Sequence, residues 1–191
     1  MKAMICIPVR VAATLLLSLF FVAQAIAKEN VCIEDEHRQF DFWLGDWQIE
    51  QKFPQPDGEV VTLEATTSVS LAAGGCALVE HWSGDVLFYW EGMQTPAPMR
   101  GLSVRYFNPD DSRWHILWFD SRARSFGVPF IGRFDDAGSG EFVASRQTPQ
   151  GEVNTRIAFW QPEPGRVRWE LAAANATGEW RLLWAMNMRR R

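Results

Sequence analysis

Beyond residue 45, apolar and polar positions alternate in short runs, and each run closes on a cluster of Gly, Pro, Asn or Asp. About ten such runs read as strands: Trp47 to Phe53, Glu59 to Leu71, Cys76 to Trp82, Gly101 to Phe107, Arg113 to Ser121, Ser125 to Phe134, Gly140 to Gln147, Val153 to Trp160, Arg166 to Ala173 and Glu179 to Met188. Between them lie Pro56-Asp57-Gly58, Gly74-Gly75, Asn108-Pro109-Asp110, Asp136-Ala137-Gly138 and Pro162-Glu163-Pro164-Gly165, which have the chemistry of hairpin turns. No helical run separates the strands, as the crossovers of a parallel sheet would require. The pattern therefore predicts an all-β, antiparallel barrel of about eight to ten strands. The period changes only ahead of the first strand. Ile33 to Leu44 sets Phe40, Trp43 and Leu44 at helical spacing behind Glu34, Asp35 and Glu36, acids suited to a helix N-terminus, and Gly45 ends it.

Residues 1–27 have a different character. Lys2 and Arg10 form a positive start, Val11 to Ala23 is apolar, and Ala25-Ile26-Ala27 supplies a small-x-small cleavage site, so the segment reads as a signal peptide removed after Ala27. The competing reading, an uncleaved anchor, needs a longer apolar run of ~20 residues. A lipid anchor on Cys32 is disfavoured by its neighbours Glu29-Asn30-Val31. The expected mature chain is a single domain, 28–191, without a membrane span, exported to the periplasm or the medium. Of 19 basic residues two leave with the leader and 17 remain against 23 acidic ones, a balance of −6 that argues against a nucleic-acid partner. The terminal Arg189-Arg190-Arg191 reads as a solvated tail. Cys32 and Cys76 are the two cysteines left after cleavage, and in an oxidising compartment they are expected to pair. The bond would close a loop of about 44 residues and stabilise the fold by roughly 4 kcal/mol on the chain-entropy account. Neither sulfur has a second Cys or a His at the spacing of a metal site.

Gly45-Asp-Trp47 after a short helix resembles the signature of the lipocalin and fatty-acid-binding superfamily. The resemblance implies that Trp47 plugs the closed end of a lipocalin-like barrel and that an Arg from the far end of the chain, Arg181 or Arg189, packs across it. A longer set of residues is similar to the DUF1579 family of bacterial proteins. These are Phe40-Asp-Phe-Trp-Leu-Gly-Asp-Trp47, Gly75-Cys-Ala-Leu-Val-Glu-His-Trp82, Gly101-Leu-Ser103 and Trp114-His-Ile-Leu-Trp118-Phe-Asp120. The likeness spans most of the mature chain and implies a lipocalin-like barrel with no assigned activity. The chain departs from the family pattern in a long Leu87 to Arg100 segment and in its Arg-rich last strand.

Strand parity locates a candidate pocket. Trp114, Ile116, Trp118 and Asp120 share one face, Glu80 and Trp82 share another, and His81, His115, Leu117 and Phe119 lie opposite. If the motif residues face inward, the interior offers Trp walls with Glu80, Ser103 and Asp120 as polar groups, the profile of a site for an apolar or amphipathic small molecule. With ten Trp in the chain, core filling is the competing role for each of them. Glu80 and Asp120 could instead act as an acid/base pair in an enzyme of unassigned reaction, although an ion pair with Arg105, on the Ser103 side of its strand, competes with that role. No cofactor is expected: His37 precedes the strands, while His81 and His115 point away from the pocket, which leaves haem without a ligand. No metal-ligand spacing, serine elbow, phosphate loop or dinucleotide fingerprint occurs.

The segment Gly84 to Arg100 is longer than a hairpin loop should be and carries Leu87, Phe88, Tyr89, Trp90 and Met93 ahead of Pro96 and Pro98. Such a run needs a buried surface. It reads either as a lid over the barrel mouth, with Trp90 touching the ligand, or as an extra strand or loop packed on the outer wall.

Overall fold

A computed structural model describes residues 31–148, 151–175 and 177–191; the predicted leader lies outside them. Ten antiparallel strands form one closed barrel: β1 (Gly45–Pro54), β2 (Val60–Ala72), β3 (Ala77–Val86), β4 (Ala97–Asn108), β5 (Arg113–Asp120), β6 (Phe130–Phe134), β7 (Gly140–Thr148), β8 (Gly151–Glu163), β9 (Arg166–Ala174) and β10 (Trp180–Arg190). Each pairs with its chain neighbours, and β1 pairs with β10 to close the ring. Closure leaves no free sheet edge. No described helix is long and apolar enough to cross a membrane.

In β1, β2 and β4 burial alternates with period two, which carries one face of each strand into the barrel. The expected helix over Ile33 to Leu44 is shorter than its pattern suggests: α1 spans only Asp35–Arg38, followed by a 3-10 turn at Asp41–Trp43. Tertiary packing breaks the helix. Phe40, with no exposure, drops into the closed end and meets the rings of Trp114, Phe134 and Phe159 edge-on at 4.8, 4.8 and 5.4 Å. A single helical turn is too short to resist such an anchor.

Trp47 completes the plug. It is fully buried, stacks on Trp43 at 5.4 Å and donates its indole N–H to the Trp43 carbonyl at 2.8 Å. The cation across it is Arg190, and neither Arg181 nor Arg189 takes that place. Its guanidinium lies 4.6 Å from the Trp47 ring and donates to the carbonyls of Leu44 and Phe42. Gly45 makes room for it: with φ of +110°, a Cβ here would be strained and would lie 2.7 Å from Arg190 Nη1. The expected solvated tail is thus part of the closure, since the Arg191 amide also donates to the Asp46 carbonyl. The β1–β10 register sets Arg190 opposite Trp47, while a bulge between Leu182 and Trp184 shifts the pairing of β10 with β9. The Cys32–Cys76 disulfide is formed and ties the N-terminal segment to the turn between β2 and β3.

Candidate functional site

Two rungs across β2, β3, β4 and β5 build one wall of the interior. Val69, Glu80, Ser103 and Trp118 are in register on one, and Thr67, Trp82, Gly101 and Asp120 on the next. Gly101 holds a specific place. A Cβ there would sit 1.9 Å from Trp118 Cη2, so the missing side chain is what lets the Trp118 ring lie over the adjacent rung. Against this wall the barrel holds a partly open cavity of about 210 Å³. Glu80, Trp82, Trp90, Ser103, Trp118 and Asp120 all line it. Trp114 does not: parity correctly turns it inward, but it sits at the closed end against Phe40 and Phe107 and donates its indole N–H to Gln39 at 2.9 Å.

Residues missed from the pattern add to the lining. Trp169 and Leu171 come from β9, Trp184 and Met186 from β10, and Phe88 from the segment after β3. The alternation Val167, Trp169, Leu171 marks the first pair in the sequence. The β10 pair is hidden by the bulge, around which Leu183, Trp184, Ala185 and Met186 are buried in succession.

The polar centre is an ion pair beneath the cavity. Glu80 is 4% exposed and accepts from Thr67 Oγ1 and Ser103 Oγ, each at 2.9 Å, and from Arg105 Nη2. Arg105 is equally buried, and its guanidinium carbon lies 5.2, 5.2 and 5.1 Å from the rings of Phe40, Trp43 and Phe159. Burial lowers the Arg105 pKa from its ordinary value, while the Glu80 charge acts in the opposite sense. With two hydroxyls and a guanidinium on it, Glu80 is occupied as an acceptor. Asp120 stands one rung and two strands away, roughly 10 Å or more by sheet spacing. The two carboxylates are therefore not adjacent in the sheet, although both line the cavity. Asp120 Oδ1 instead accepts the backbone N–H groups of Arg122 and Ala123, both at 2.8 Å. After this Asx turn the chain touches β5 only through a single bridge between Phe119 and Phe126, so the residues from Ser125 to Pro129, expected in a strand, form a loop, and β6 begins at Phe130.

The segment after β3 lies across the mouth. Extension of β3 to Val86 and of β4 from Ala97 shortens the loop to residues 87–96, of which Tyr89–Glu91 form a 3-10 turn. Phe88 is buried and stacks on Trp90 at 4.9 Å, with Trp184 at 5.4 Å. Glu91 pairs with Arg122 at 3.0 Å, and Arg122 lies 5.2 Å from the Phe88 ring, so this strap is latched to the β5–β6 loop opposite. Phe88, Trp90 and Glu91 line the cavity, so the segment packs over the interior and not on the outer wall. His81 is exposed, His115 lies 2.8 Å from Asp111, and His37 packs edge-on against Phe107. None of the three lines the cavity, and no metal-binding group of His, Cys, Asp or Glu converges among the described residues.

No protein-family model matches the chain, and no curated protein does. Solved structures match its shape. Rv2717c from M. tuberculosis aligns with a TM-score of 0.54 at 10% identity, covering 83% of this chain and 98% of its own. An S-type phycobiliprotein lyase, CPES from Guillardia theta, aligns with a TM-score of 0.50 at 13% identity over 82% and 95% of the two chains. The chain is a lipocalin-like barrel. At these identities the likeness speaks for the fold alone.

Proposed function

We propose that this protein is an exported carrier that binds an apolar or amphipathic small molecule in the barrel, and that it belongs with the DUF1579 proteins whose motifs it resembles. One observation carries the reading: an aromatic cavity beneath a latched strap, whose buried carboxylate is already saturated by its neighbours. A space walled by Trp82, Trp90, Trp118 and Trp184 offers a ligand apolar contact on several sides, and Ser103 and Asp120 supply the polar groups that orient it. Its volume is below the roughly 300 to 1,000 Å³ of sites for drug-sized ligands. A compact molecule fits as the barrel stands, and a larger one requires Phe88 and Trp90 to swing outward. Export is supported by the leader-like residues 1–27 and by the disulfide, which persists in an oxidising compartment. The shared barrel of a phycobiliprotein lyase is consistent with a protein that handles a small molecule.

Native mass spectrometry of protein purified from its own host tests the proposal. The expected result is a co-purifying small molecule that is lost on unfolding and is not chemically altered. Turnover of that molecule, abolished by Glu80→Gln or Asp120→Asn, would replace the carrier with an enzyme.

A further inference from the structure

The charges that line the cavity are unevenly matched, and this gives the ligand a charge class, an inference that rests on the carrier reading above. Glu80, Glu91 and Asp120 face one cation, Arg105. Arg105 is paired with Glu80 through Nη2 and pressed against three rings, its Nε and Nη1 without a hydrogen-bond partner among the described residues, and Glu91 is paired with Arg122. Asp120 is left over. Its hydrogen bonds both fall on Oδ1 and come from backbone N–H groups of its own turn, and it forms no ion pair among the described residues. Around it the cavity is aromatic. Trp118 lies two residues back on the same face of β5, Trp82 meets Trp118 edge-on at 6.5 Å, and Trp90 closes the mouth stacked on Phe88.

We infer that the cavity selects an organic cation, a protonated or quaternary amine on a compact apolar body, with Trp82, Trp90 and Trp118 as its walls and Asp120 as its counter-ion. Ring faces carry negative potential, and a desolvated cation among Trp rings gains about 2 kcal/mol, roughly thirty-fold in affinity. A cleft lined by one sign of charge also concentrates the opposite sign. A carboxylate ligand would meet Asp120 and Glu80, and the one cation of the lining, Arg105, already has its charge balanced by Glu80.

Calorimetric titration with choline, with its neutral carbon isostere dimethylbutanol and with the corresponding carboxylate, dimethylbutyrate, separates the three classes at nearly constant shape. The expected order is choline about ten-fold or more tighter than dimethylbutanol, with dimethylbutyrate weakest. Asp120→Asn keeps an Oδ1 acceptor for the turn and removes the charge, so it should narrow the ratio of choline to dimethylbutanol. Trp118→Leu should narrow it as well. Equal affinities for choline and dimethylbutanol would overturn the cation inference and leave the apolar carrier standing. Binding of neither, while a bulkier neutral probe such as phenylnaphthylamine still binds, would do the same. Failure of all of these ligands would overturn both readings.

Discussion

Arg105 carries a full charge into a ring of aromatic side chains and meets a single carboxylate there. A buried pair of this kind adds little net stability, yet removal of one partner strands the other. Arg105→Met should cost about 3 to 5 kcal/mol in urea unfolding, and adding Glu80→Gln to it should restore part of the loss. A loss below about 1 kcal/mol for Arg105→Met would mean that Glu80 finds another cation. Trp47→Ala should also cost about 3 to 5 kcal/mol, because it empties the plug on which Trp43 and Arg190 rest. Much of this was legible in the residues themselves. The step of two from Ser103 puts Arg105 on the inner face, and Gly45-Asp-Trp47 marks the plug. Height along the barrel was not legible: parity turns Trp114 and Trp118 to the same side but does not say that one serves the closed end and the other the cavity.

At the scale of elements, alternation located all ten strands, and the misplaced boundaries have local causes. The Asp120 side chain captures the turn after β5 and Pro129 offers no N–H to a ladder, so β6 starts late. The strap at residues 87–96 looked longer than it is because Gly84 and Pro98 hide the ends of β3 and β4, which pair there across Gly84 and Met99. As a lid, the strap should exchange its amide hydrogens more slowly when a ligand is bound. Complete protection of residues 84 to 100 without ligand, unchanged on binding, would contradict that role. The Glu91–Arg122 latch is partly exposed, and screening limits it. Arg122→Ala should therefore speed ligand release by no more than about five-fold, as read by stopped-flow displacement. A change of several orders of magnitude would make the latch the dominant barrier.

For the whole molecule, closure and cavity are linked through the ends of the chain. Cys32–Cys76 fixes the N-terminal segment to the β2–β3 turn, and Arg190 fixes the last strand to the residues ahead of β1. Replacing both cysteines with Ser should lower stability by roughly 4 kcal/mol on the chain-entropy account. Intact exported protein should show no free thiol until it is reduced. The central claim is that the barrel holds a ligand-sized space beneath its strap, and Gly101 offers direct control of that space because a Cβ there collides with the Trp118 ring. Titration of wild type and Gly101→Ala with the neutral fluorescent probe phenylnaphthylamine is the most direct test. The account predicts one saturable site in the wild type, weakened about ten-fold or more in a Gly101→Ala protein that still unfolds cooperatively. Absence of saturable binding to the folded wild type, or equal affinity in the two proteins, would contradict it.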